Sequence, residues 1–253
     1  NEISDYCFCK CTKLKQFDFS GIERIGKHAF EESGLQEVNL PENINVVLVG
    51  AFEKCGELQS VTWSHKCELI PANCFADCLK LTKFNFANAK KIEQYAFSNS
   101  GLQEVRLQKN IESISNKAFC GCSELHSVTW NGTCDVIPTS CFYLCSNLKS
   151  FNFSAIKKVG QYAFGESGLQ EVCLPKNIEI IENEAFSGCS ELHSVTWNCK
   201  CNAIPDYCFY RCTKLKHFDF SAIKKVGQYA FRESGLQEVC LPKNIEILEC
   251  GTF

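Results

Sequence analysis

GLQEVNLPENI, residues 34–44, decides the fold, because it returns as GLQEVRLQKNI at 101–111 and as GLQEVCLPKNI at 168–178 and 235–245. The copies stand 67 residues apart, and Trp63, Trp130 and Trp197 keep the same spacing. Residues 157–180 and 224–247 are nearly identical, with Gly165 against Arg232 the change of character. A 67-residue unit has been duplicated, and self-similarity of this kind marks a repeat architecture.

A shorter period runs inside it. Phenylalanine recurs at Phe8, Phe30, Phe52, Phe75, Phe97, Phe119, Phe142, Phe164, Phe186, Phe209, Phe231 and Phe253, in steps of 22, 22 and 23 residues. Each Phe but the last is followed by a Leu and two further apolar residues, as in Leu14-Phe17-Phe19, Leu35-Val38-Leu40 and Leu58-Val61-Trp63. The two-residue step from Val38 to Leu40, with Glu37 and Asn39 on the opposite face, is strand periodicity. Around Ala29-Phe30 there is room for no more than about one turn of helix. A repeat this short cannot bury its own apolar side, so copies must stack and share a core.

The expected fold is an α/β repeat solenoid, a single domain over residues 1–253 built from about twelve repeats of 22 or 23 residues. One continuous parallel sheet of about eleven strands, roughly 50 Å long, should form one side. Short helical or irregular segments should form the back, and every repeat Phe and strand Leu should be buried. The chain begins and ends inside a repeat, as an uncapped fragment would.

The runs LQEVNLPENI (35–44) and AFEKCGELQSV (51–61) resemble the BspA-like leucine-rich repeats, whose units read Ala-Phe, a Cys three residues on, a Leu, then a Pro-containing turn. The resemblance covers the whole chain. It implies a leucine-rich-repeat solenoid and, since members are mostly surface or secreted proteins implicated in adhesion, a recognition module for a protein or glycan. Two departures stand out. Phe and Trp replace Leu at many strand positions, and only every third repeat carries Asn in its turn (Asn43, Asn110, Asn177, Asn244), so a continuous Asn ladder is not expected.

The composition, 45% hydrophobic and 22% charged with net charge −3, is that of a folded chain with no bias toward nucleic acid. No apolar run approaches the roughly 18 residues of a membrane span. Outward strand positions should form a banded polar face that is open to a ligand or merely solvated. One band holds Glu37, Glu104, Glu171 and Glu238, with Asn39 and Arg106 beside the first two and outward-pointing Cys173 and Cys240 beside the others. A second band holds Ser60-Thr62, Ser127-Thr129 and Ser194-Thr196. The third varies most: Gln16-Asp18, Lys83-Asn85, Ser150-Asn152 and His217-Asp219.

Cys55, Cys78, Cys122, Cys145, Cys189 and Cys212, six of twenty cysteines, each lie three residues after a repeat Phe. Two readings stay open for them: inert buried thiols, or disulfides Cys55–Cys78, Cys122–Cys145 and Cys189–Cys212 in an oxidising compartment. The CxxC knuckles of structural zinc sites are absent, and no metal or cofactor is expected. Nor is an enzyme: successive Glu of the first band stand about 14 Å apart, too far for a carboxylate pair. A thiol-redox protein built on Cys120-Gly-Cys122 is the remote enzymatic alternative. A structural spacer that binds little is the nearer one.

Overall fold

The structure, a computed structural model, describes residues 1–253 as eighteen strands of two to four residues. It contains no helix, and so none long and apolar enough to cross a membrane. The chain forms two compact units, Asn1–Cys134 and Asp135–Phe253. Both are leucine-rich-repeat-type solenoids of parallel strands, built the same way.

The first unit carries two kinds of ladder. On the strand face, Glu37–Asn39 pairs with Ser60–Thr62 and Glu104–Leu107 with Ser127–Trp130, so that Val38 stands opposite Val61 and Val105 opposite Val128. Beside that face run three-stranded ladders of two-residue strands: Glu2–Ile3, Arg24–Ile25 and Val46–Val47, then Leu69–Ile70, Lys91–Ile92 and Ser113–Ile114. The second unit repeats the scheme, pairing Glu171–Leu174 with Ser194–Trp197 on the strand face, with two three-stranded ladders beside it.

The expected continuous sheet is therefore interrupted at every third repeat. At Gln16–Phe19 and its three copies the chain joins no ladder. The cause is local hydrogen bonding. Asp18 and Asn85 each accept, at 2.9 and 3.0 Å, the backbone N–H two residues on, as do Asn152 and Asp219 at 3.0 and 2.9 Å. A side chain that closes such a turn competes with the strand ladder. Asn110 and Asn177 then reach back to the carbonyls beyond these turns, at Ala87 and Ala89 and at Ser154 and Ile156. That is why Asn is wanted only once in three repeats.

The helical back is also corrected. Around each Phe from Phe8 to Phe231, the residues two before and two after it adopt positive φ, such as His28 (49°) and Glu32 (55°) or Tyr162 (54°) and Glu166 (55°). Alternate N–H groups point sideways into the next repeat: His28 to Val49 O at 3.0 Å, Phe30 to Ala51 O at 2.8 Å and Glu32 to Glu53 O at 2.9 Å. An N–H given to the neighbouring repeat cannot close a helical bond four residues back. The back is a stack of turns.

Inside, the repeat Phe rings form a column. In the first unit centroids from Phe8 to Phe119 are spaced 5.0–5.7 Å with interplanar angles of 4–21°. In the second, from Phe142 to Phe253, the spacing is 5.3–5.9 Å. Offset stacking of this kind adds to the stabilisation from burial. Ten of the twelve repeat Phe are buried, while Phe8 is half-buried and Phe253 is 48% exposed. Gly34, which opens the strand motif, is dictated by contact: a Cβ there would collide with the carbonyl oxygen of Thr12 in the preceding repeat.

Candidate functional site

The strand face places its polar residues as their alternation demands. Glu37, Asn39, Ser60, Thr62, Lys83, Asn85, Arg106, Ser127 and Thr129 are exposed in the first unit, and Glu104 is half-buried. In the second unit Glu171, Ser194, Thr196, His217, Asp219 and Glu238 are exposed, as are Cys173 and Cys240. The constant Thr62 hydroxyl donates to Asn39 Oδ1 at 2.9 Å, and Arg106 pairs with Glu104 at 2.8 Å.

Where the ladder breaks, the face opens. Phe84, which joins no ladder, and Val61, on the paired strand before it, are half-buried, in contrast to the buried Val38 and Val105. A recess of about 530 Å³ lies over them, and Lys83, Asn85, Glu104 and Arg106 are among its lining residues. The third band thus has two kinds of residue. Asp18, Asn85, Asn152 and Asp219 hold the turn; two donors from Ser20, backbone first, keep the Asp18 carboxyl below the usual carboxylate range, and Ser221 does the same for Asp219. Gln16, Lys83, Ser150 and His217 have no such duty and are the ones that vary.

The invariant Trp of the second band is structural. Trp63, Trp130 and Trp197 each donate from Nε1 to the carbonyl four residues on, at 2.8 Å, and so close the turn.

Cys55, Cys78, Cys122, Cys145, Cys189 and Cys212 are buried and form no disulfide in this structure, whereas Cys11, which follows Phe8 by the same three residues, is exposed. The buried thiols are occupied otherwise. Cys55 Sγ donates to Phe30 O at 3.0 Å, Cys78 to Phe52 O at 3.2 Å and Cys122 to Phe97 O at 3.1 Å. Cys189 and Cys212 cap the carbonyls of Phe164 and Phe186 in the same way, at 3.1 and 3.3 Å. Ser33, Ser100 and Ser167 stand against the sulfurs of Cys55, Cys122 and Cys189 at 3.3–3.4 Å. Burial pushes the Cys55 thiol up to about 11 and those of Cys122 and Cys189 up to about 12, which leaves almost no thiolate for chemistry near neutral pH.

Among known families, BspA type leucine rich repeat regions match in six copies, over residues 1–126, 68–167 and 135–253. The chain belongs to this family, a family of repeats with no catalytic class attached. No curated protein matches it. Among solved structures it is similar to a leucine-rich repeat protein from Bacteroides ovatus, at 20% identity and a TM-score of 0.62 over 89% of this chain and 72% of that one. A leucine rich cell surface protein from Faecalibacterium prausnitzii is similar at 21% identity and a TM-score of 0.63, over 89% of this chain and 66% of that one. The pneumococcal vaccine antigen PcpA is similar at 16% identity and a TM-score of 0.54, over 97% and 71%. At these identities the likeness concerns the fold.

Proposed function

We propose that the chain is a non-enzymatic recognition scaffold, secreted or held at a cell surface, that binds a protein or glycan along its strand face. The observation that carries this reading is the recess over Phe84 and Val61, with Lys83, Asn85, Glu104 and Arg106 around it. An apolar centre within a polar rim is the anatomy of a protein interface. Side chains fixed on a strand lose little further freedom on binding. The surface location is supported by the family and by the cell surface protein from Faecalibacterium prausnitzii that shares the fold. The 67-residue period runs unchanged through Cys134, which favours a single solenoid over residues 1–253.

The test is a double charge reversal, Lys83→Glu with Arg106→Glu, against a control on the exposed back turns, Lys10→Glu with Glu166→Lys. Both should alter stability by less than about 0.5 kcal/mol. Purified wild-type chain is applied to arrays of extracellular proteins and glycans, and affinities for any binder are compared across the variants. The recognition reading expects the strand-face pair to weaken binding at least about tenfold, or about 1.4 kcal/mol. Loss with the back pair alone would overturn it. The absence of any binder would favour the spacer.

A further inference from the structure

His28, Glu31 and Glu53 meet on the back turns of the first compact unit, away from the strand face. Glu31 and Glu53 hold the same place in consecutive repeats, one residue after Phe30 and Phe52, so stacking brings their carboxylates together. His28 lies two residues before Phe30 at a positive-φ position. Its ring is fixed on both sides. The Tyr6 ring stacks on it at 5.1 Å with an interplanar angle of 7°. At Gly50, φ is +65°, and a Cβ would overlap Cε1 and Nδ1 of the imidazole.

His28 Nδ1 lies 2.9 Å from a Glu31 oxygen and 3.4 Å from a Glu53 oxygen. It is sealed from solvent, yet it makes no hydrogen bond. At 2.9 Å the distance would permit one, so the ring N–H is not aimed at the oxygen. An imidazole nitrogen and two carboxylate oxygens this close, with no hydrogen bond between them, have the spacing to ligate a common centre. Ligands about 2.1 Å from a cation stand roughly 3.0 Å apart across a right angle and roughly 3.4 Å apart across a tetrahedral angle. The two nitrogen-to-oxygen separations fall in that range, and all three donor atoms lie within 4.8 Å of one another.

The charge also fits. Lys54 approaches the other oxygen of Glu31 at 3.4 Å and Glu32 at 3.9 Å, which leaves the Glu53 carboxylate without a lysine or arginine ion pair.

We propose that His28 Nδ1, Glu31 and Glu53 form a binding site for a divalent first-row transition cation that ties two adjacent repeats together. One imidazole with two carboxylates suits such an ion better than calcium or magnesium, which take oxygen ligands.

The probe is Mn²⁺ alone, because it prefers oxygen and nitrogen donors and is little drawn to the twenty cysteines. The full chain should take up one Mn²⁺, read as loss of the free-ion electron paramagnetic resonance signal. The bound ion should show coupling to an imidazole nitrogen. Glu53→Gln and His28→Asn should each weaken binding at least about tenfold, with the nitrogen coupling absent in His28→Asn. Glu57→Gln, at an exposed carboxylate paired with Lys80, should bind as wild type. Nitrogen coupling in the unmutated chain keeps the test decisive should a variant fail to fold. The absence of Mn²⁺ uptake up to about 1 mM, uptake without nitrogen coupling, or undiminished binding by Glu53→Gln would overturn the proposal.

Discussion

Phe97→Ala would open a hole in the middle of the aromatic column. The ring is fully buried between Phe75 and Phe119, at centroid distances of 5.4 and 5.7 Å, and is met edge-on by Phe84 and Phe86 at 4.9 and 5.3 Å. Truncating a buried Phe costs about 3–5 kcal/mol in transfer and cavity terms. Each lost aromatic contact is worth about 0.5–1.5 kcal/mol beyond its area, which places this site at the upper end. The walls cannot close the gap, because Phe75 N–H is bonded to Ala96 O at 2.8 Å and Phe97 N–H to Ala118 O at 2.9 Å, which pins successive repeats. Phe97→Leu, which keeps much of the volume, should cost roughly half as much. The assay is urea unfolding followed by tryptophan fluorescence in a Trp197→Phe background, where Trp63 and Trp130 report on the first compact unit alone. The midpoint should fall while the slope is kept. A loss below about 1 kcal/mol, no larger than an exposed substitution produces, would refute the stacked-column account.

Two further outcomes test the back and the thiols. Leu144 is 46% exposed at φ 62°, where a β-carbon costs about 1–2 kcal/mol. Leu144→Gly should therefore raise the melting point or leave it unchanged, whereas a helical back would lose about 1 kcal/mol, so a clear fall would refute the turn stack. Unreduced, denatured protein should titrate close to twenty thiols, and six fewer would restore Cys55–Cys78, Cys122–Cys145 and Cys189–Cys212 as disulfides. In the native protein near about pH 8, Cys173 and Cys240 should alkylate while Cys55, Cys122 and Cys189 stay unlabelled.

Spacing carried most of the fold. The 22-residue step and the Val38-to-Leu40 alternation were enough to name the stacked parallel strands, their inward residues and the outward polar positions. The turn stack was less legible. Its positive-φ positions are filled by Tyr6, Lys54, Leu144 and Arg211 as readily as by Gly50 or Gly188, so residue type gives no warning. The broken ladder did leave a sign. Asp or Asn recurs at positions 18, 85, 152 and 219, and such constancy beside the changing Gln16, Lys83, Ser150 and His217 fits a turn-former. The meeting of His28 with Glu31 and Glu53 joins two repeats on the back, so no local motif in either repeat announces it. Its sign is the pairing of residue i with i+22 along the back, which sets Glu31 beside Glu53 with the histidine three positions before Glu31.

The broken ladder also bears on how recognition would work. Each compact unit has two open strips, at Gln16–Phe19 and Lys83–Phe86 in the first and at Ser150–Phe153 and His217–Phe220 in the second. Within a unit the strips are three repeats apart, about 14 Å at the usual strand spacing. Each strip has the same frame: a half-buried Phe, an Asx turn and, in the repeat that follows, a Glu at position 37, 104, 171 or 238. The residue before the Phe changes most, among Gln, Lys, Ser and His, while the one after it alternates only between Asp and Asn. A ligand with its own repeat could engage two strips at once, and the second contact would then act at high effective concentration. Specificity would rest mainly on those four side chains and the charge of the Asp or Asn beside them, and affinity on the frame that every strip shares.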